Sequence, residues 1–336
     1  MQKSMLSTCS IIRMMKGGTA MEQRDQLMAV AANKFGLLER DKVQTHVSEH
    51  SLIRSYRLDA RIVYVRITDE SHKPYAKIEG EVQWVEFLGS KGVCVSRPLY
   101  SVEGNLTERI RMEDREFTAV CYEEAKGRPV GENDANERLY KRMGQFMGSM
   151  HRITKGYTHL DPVTRRPDWS DEAGKVRHID LPLTEKGVTR RYEVLLHYIS
   201  ELPIAADAYG LIHADFHYGN FFVNGDTLCL IDFDASRYSW FIDDIAVAAF
   251  FSGLTEGADA EPDQFLTPFL EGYRLEHHLE DKWLREIPYF MKLREMGRYI
   301  KLFHACSGKL DKLHPWGQWY MRGRKEKILR SFPAIE

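Results

Sequence analysis

The chain has 336 residues, 43% of them hydrophobic and 29% charged, with a formal net charge of -2; it is long enough for two lobes, and its charge gives no bulk attraction to nucleic acid or an anionic membrane. Five cysteines, Cys9, Cys94, Cys121, Cys229 and Cys306, are odd in number, widely spaced and without a C-x-x-C pair, which argues against a zinc site or disulfide framework and for a reducing, cytoplasmic setting. No apolar run approaches the roughly 20 residues a membrane helix needs.

Residues 1–20 read as a disordered leader, with Met21 as a candidate start. Over 22–35, Leu27, Met28, Val30, Ala31 and Phe35 recur at helical spacing and Gly36 ends the run. Runs 52–58 and 61–68 predict a hairpin turning at Asp59 and Ala60, and 81–88 returns to helical spacing through Val82, Val85 and Leu88 beside Trp84. Further strands are expected at 98–100, 106–111 and 117–122, so that 21–125 forms a small, mostly antiparallel sheet carrying one main helix.

Gly127, Arg128 and Pro129 break the pattern, and 126–336 is mainly helical. Leu139, Met143, Phe146, Met147 and Met150 share a helix face, the polar, proline-containing stretch 154–183 predicts a long surface excursion, and 189–202 is another helix. Apolar runs 211–212 and 221–223 flank a polar loop, Asn224-Gly225-Asp226 turns a hairpin into 228–231, and helices follow from Ile242 onward. Arg322, Arg324, Lys325 and Lys327 read as a solvated helix face. The class is α+β.

The chemistry concentrates in His213-Ala214-Asp215-Phe216-His217-Tyr218-Gly219-Asn220, followed by Ile231-Asp232-Phe233-Asp234. Phosphoryl transfer needs hard oxygen ligands for magnesium and a separate carboxylate to orient the attacking hydroxyl. Asp215 lies five residues before Asn220, and the predicted hairpin can fold Asp232 back towards that loop. Taken alone, the His-x-Asp-x-His string fits a transition-metal site or a plain polar loop equally well.

His213-x-Asp215-x4-Asn220 with Ile231-Asp232-Phe233 resembles the catalytic and metal-binding loops of the aminoglycoside phosphotransferase superfamily, which also holds choline kinases, type II homoserine kinases and bacterial stress-response kinases. Ala214 stands for the family's usual glycine. The resemblance implies a two-lobed protein-kinase-like fold, with a small antiparallel-sheet N-lobe and a larger, mostly helical C-lobe. It also implies an enzyme using ATP and Mg2+ to phosphorylate a hydroxyl of a small molecule such as an amino alcohol, homoserine-like or aminoglycoside-like compound. By this likeness Asp215 is the base, Asn220 and Asp232 hold magnesium, and His213, His217, Asp234 and Asp244 support the site. A Ser/Thr protein kinase of stress-response type and a regulatory pseudokinase are the alternatives.

For the nucleotide, the same likeness places Arg66, on the third strand, where lysine is usual, and Glu81 at the start of the following helix, with Lys77 as a fallback. Ser48 occupies the place of a phosphate loop, and Glu123, Glu124 and Ala125 that of the adenine-receiving hinge. On the acceptor side, Arg294 is a candidate for a substrate anion or an internal salt bridge, and Asp243 for a cationic substrate or a helix cap.

Overall fold

The computed structural model describes residues 18–47, 51–159, 161–255 and 262–333. Most of the expected leader, and Ser48, lie outside the described residues. Helix α1 (Gly18–Lys34) is followed by strands β1 (Lys42–Val47), β2 (Ser51–Leu58) and β3 (Arg61–Asp69), helix α2 (Tyr75–Ser90), and strands β4 (Pro98–Leu99), β5 (Glu108–Met112) and β6 (Arg115–Glu123). The strands form one antiparallel sheet in the order β1-β2-β3-β6-β4, with β5 also on β6.

Strand alternation decides what faces where. Val63, Val65 and Ile67 of β3 turn to one side and form a core with Leu27, Met28 and Ala31 of α1. Arg66 therefore turns to the other side, where Val120 of β6 meets Ile78 and Val82 of α2. Helix α2 begins directly after Pro74, six residues before the expected 81–88 segment. Proline has a fixed φ and no N–H to lose at a helix start, so the polar residues that blurred the apolar period still belong to the helix. Glu81 accordingly sits in the second turn, not the first.

The glycine-arginine-proline break is a short strand, β7 (Arg128–Pro129), pairing with β9 (Phe221–Asn224). Between them come α3 (Glu137–Thr154), α4 (Trp169–Arg177), α5 (Lys186–Ser200) and β8 (Tyr209–Ile212). Then follow β10 (Thr227–Leu230), β11 (Arg237–Trp240), α6 (Phe241–Thr255), α7 (Pro262–Arg274), α8 (Asp281–Leu284), α9 (Ile287–Cys306), α10 (Pro315–Met321) and α11 (Arg324–Arg330). α3 and α7 touch backbone to backbone: a Cβ on Gly144 would lie 1.9 Å from the Phe269 carbonyl oxygen, and one on Gly272 would lie 1.8 Å from that of Lys141.

The 154–183 stretch is not a surface excursion throughout. Thr164 and Arg166 are buried, and Asp168 caps α4. The Arg166 guanidinium donates to three backbone carbonyls, of Lys77 at 2.6 Å, Asp234 at 2.7 Å and Ser236 at 2.9 Å. A side chain with five donors can satisfy otherwise orphaned carbonyls, and this one links α2 to the segment after β10. The late basic cluster is likewise tied down in part: Arg324 meets Glu295 at 2.9 Å and Lys325 meets Glu185 at 3.0 Å.

Candidate active site

Strand β8 pairs with β11 and delivers the chain to His213 at its C-terminal end. Asp244, in the first turn of the largely apolar helix α6, accepts the backbone N–H of His213 at 2.9 Å and of Ala214 at 2.7 Å. Burial opposes ionisation of Asp244, but the hydrogen bonds from His151 and from the His213 backbone hold its carboxyl below the ordinary range. An ionised Asp244 only accepts, so His151 carries its proton on Nε2, 3.2 Å away, and Nδ1 accepts from the Tyr273 hydroxyl at 2.9 Å. His213 is fixed the same way. Its Nε2 donates to the Ile231 carbonyl at 3.1 Å, and Nδ1 accepts from the Asp215 N–H at 3.3 Å. Burial pushes its pKa down, so it is neutral.

Two further bonds close the loop. The Asn220 side-chain amide donates to the Asp215 carbonyl at 3.0 Å, and the Ile231 N–H donates to the Asn220 carbonyl at 3.0 Å. The β9–β10 hairpin thereby returns the Ile231–Asp234 segment to the Asn220 loop. Ala214 and Asp232 both adopt left-handed backbone, with φ of 64° and 66°. Each conformation costs a non-glycine residue about 1 kcal/mol or more and persists only where surrounding bonds impose it.

The carboxylates differ electrically. Burial opposes ionisation of Asp215, but the Arg294 guanidinium, His217 and Arg298 overcome it and hold the carboxyl far below its usual range. Arg294 ion-pairs with Asp215 directly, and His217 Nε2 lies 3.5 Å from the other oxygen. Asp232 goes the opposite way. Desolvation, then Asp234, Asp215 and Glu81, push it up to about 6. Its side chain nonetheless reaches the open cleft, so neighbouring negative charge matters more there than burial.

Across the cleft, Glu81 is shared by two cations, Arg66 at 2.8 Å and Lys73 at 2.6 Å. Burial opposes its ionisation, and those two charges reverse the effect. Lys73 also pairs with Asp234, linking the sheet-bearing lobe to the loop after β10. Arg66 lies 5.2 Å from the Tyr122 ring, and its Nε is buried with no acceptor among the described residues. Lys77 donates instead to the Arg165 carbonyl at 3.3 Å.

The structure thus brings Asp215, Asn220, Asp232, Asp234, His213, His217 and Asp244 together, and places Arg66 with Glu81. The hinge is more constrained than expected: the Glu123 N–H is taken by Arg97 at 2.8 Å and that of Glu124 by Ile62 at 3.3 Å, while Ala125 is buried. Asp243 lines the cavity beside Arg294, and Arg237 and Ser239 each donate to its buried carboxylate at 2.8 Å, so its charge is already paired there. Sequence reasoning missed Lys73, which precedes the helix and belongs to no periodic pattern. It also missed Arg298, whose spacing of four from Arg294 on a helix was a usable signal.

Among the described residues no group of three or more His, Cys, Asp or Glu side chains forms a metal cage. Two oxygen-bearing side chains, Asn220 and Asp232, suit a hard divalent cation that takes its remaining ligands from phosphate and water. The excess of carboxylates around Asp232 and the cations facing them from β3 and the β3–α2 loop suit a cation bound to a polyphosphate.

A small antiparallel sheet with a helix on each face, set over a helical lobe that carries such a loop pair, defines a protein-kinase-like phosphotransferase. The chain matches the model of the phosphotransferase enzyme family over residues 54–286. It is 31% identical over 278 residues to amicoumacin kinase of Bacillus subtilis (strain 168), covering 81% of this chain and 82% of that protein. The solved structure of amicoumacin kinase hAmiN in complex with AMP-PNP, Ca2+ and Ami is similar with a TM-score of 0.83 and 28% identity, covering 94% of this chain and 97% of that one. A microcompartment-associated aminopropanol kinase shares the fold, with a TM-score of 0.70 and 18% identity over 91% of this chain and 97% of its own. The chain belongs to the phosphotransferase enzyme family.

Proposed function

We propose that this kinase transfers the γ-phosphoryl group of ATP, with Mg2+, to a hydroxyl of a small molecule, with Asp215 as the base. Residues 21–125 are the nucleotide-binding lobe and 126–336 the catalytic and acceptor lobe. Asn220 and Asp232 are the side chains for the cation, and Arg66 and Lys73 those for the phosphates. Bound Mg2+–ATP supplies the transferable group and neutralises charge on its oxygens. Asp215, kept ionised by Arg294, accepts the hydrogen bond of the acceptor hydroxyl and takes its proton late in the transfer. Asp244 holds the loop that aims Asp215, and the Lys73–Asp234 contact draws the two lobes over the reacting groups.

The observation that carries this reading is the continuous set of bonds from Asp244 through His213 and Ala214 to Asp215, Asn220 and Ile231. The site lies beside a cavity of about 380 Å³ that Arg294 helps to line, a size that suits a small acceptor. Cys94, Cys121, Cys229 and Cys306 are free thiols, which together with ATP use supports a cytoplasmic setting.

The test is ATP consumption against a panel of hydroxylated compounds, with amicoumacin, the compound in the relative's name, placed first. Asp215→Asn is expected to bind AMP-PNP as the parent does and to lose transfer by about 10²-fold or more. Retained turnover in that variant would remove Asp215 from the reaction.

A further inference from the structure

Helix α9 places Arg294, Arg298 and Lys301 at successive turns of one face. They line a cavity of about 380 Å³ whose other wall includes Trp169, Val176 and Tyr192. Arg294 joins this cavity to the catalytic loop, because it lines the cavity and touches Asp215.

The charges around the cavity do not balance. Arg237 is neutralised by Asp243 at 2.8 Å, and Glu172 is taken by Lys175 at 2.5 Å. Arg298 and Lys301 have no carboxylate within ion-pair distance among the described residues, and Arg298 makes no hydrogen bond among them. The Arg298 guanidinium lies over the Phe251 ring at 5.0 Å and the Trp316 ring at 5.2 Å. Burial, then the charge of Arg294, lowers its pKa to about 10. The Nε of Arg294 is buried with no acceptor among the described residues. A guanidinium fixed in orientation by two aromatic faces, with its N–H edge free, is preorganised to receive an oxyanion.

We infer that the acceptor carries an oxyanion, a carboxylate or a phosphate monoester, which binds Arg298 and Lys301 while its hydroxyl reaches Asp215. This rests on the phosphotransferase reading of Asp215. The helix rise sets the scale: Arg298 lies roughly 6 Å and Lys301 roughly 10 Å along α9 from Arg294, so about four to eight atoms separate hydroxyl from oxyanion. The apolar wall accommodates a hydrocarbon or aromatic body between the two ends. A cationic acceptor would meet uncompensated like charge at Arg298 and Lys301, since Arg294 is already paired with Asp215.

The test is calorimetric titration of the full chain, with and without AMP-PNP and Mg2+. The probes are 6-hydroxyhexanoate, its primary amide, 6-aminohexan-1-ol and 6-hydroxyhexyl phosphate. The acid or the phosphate ester binds at least about tenfold tighter than the amide, the amine binds weakest, and comparison of the two anions identifies the preferred group. Arg298→Gln reduces the anion to the level of the amide, Arg298→Lys restores part of the difference, and Lys301→Gln, at an exposed position, reports the same loss should Arg298→Gln fail to fold. Anion and amide binding within twofold, preference for the amine, or no binding by any probe overturns the inference. Nucleotide binding without anion preference sinks the inference and spares the kinase reading; anion preference without nucleotide binding does the reverse.

Discussion

Asp244→Asn changes one oxygen for an NH2 group in a fully buried site, and its cost follows from the bonds it disturbs. The parent carboxylate accepts three donors: two backbone N–H groups at 2.9 and 2.7 Å and His151 at 3.2 Å. An asparagine oxygen can keep the donors on its side, but its amide then faces at least one buried N–H. A buried donor left unsatisfied costs about 1–3 kcal/mol, and loss of charge-assisted bonding adds to it, for a total of about 3 kcal/mol. At about 2 °C per kcal/mol for a chain of this size, the melting temperature falls by about 6 °C. Ala214 also loses the bond that imposes its left-handed φ, so turnover falls further than stability explains. The assay is differential scanning calorimetry alongside ATP turnover at a temperature where both proteins remain folded. A melting temperature within about 2 °C of the parent, with turnover within about threefold, would refute the anchoring role of Asp244.

Other outcomes follow from the cleft. Asp232 is raised from 3.8 to about 6, so between those values the folded state keeps a proton that the unfolded chain has lost. Stability therefore falls as pH rises through that window, and the deficit persists above it. The full shift would amount to about 3 kcal/mol, which exposure to solvent reduces to about 1 kcal/mol. Asp232→Asn should thus melt higher than the parent at pH 7, match it near pH 4, and lose cation-dependent nucleotide binding; an equal or lower melting temperature at pH 7 would count against the carboxylate crowding. Lys73→Met is expected to raise the KM for ATP by about 10- to 100-fold through loss of a charge-assisted contact, while Lys77→Met leaves it unchanged. Equal effects of the two substitutions would remove Lys73 from the phosphate site.

The two catalytic loops were legible because their residues are close in sequence and the hairpin turn at Asn224-Gly225-Asp226 shows how they meet. Arg66 and Glu81 came from the family resemblance, matched to the strand 62–67 and the helix that follows it. Lys73 was not, because its place depends on where α2 starts and on Asp234, 161 residues later. Arg166 misled in the other direction: in a polar stretch it reads as solvated, yet its partners are backbone carbonyls, which carry no side-chain signal. Asp243 and Asp244 are adjacent and alike in sequence; only the register of α6 against β8 and β11 sends one to Arg237 and the other to the catalytic loop. The charge imbalance around α9 needed the tertiary structure, since it is defined by the lack of a carboxylate beside Arg298 and Lys301 among the described residues.

The most direct measurement is an anomalous-difference map from crystals grown with AMP-PNP and Mn2+ in place of Mg2+. A peak about 2.2 Å from side-chain oxygens of both residue 220 and residue 232, in contact with the nucleotide's phosphates, is the expected result. Manganese bound to the phosphates but remote from both side chains would contradict the assignment of this loop pair as the phosphoryl-transfer centre.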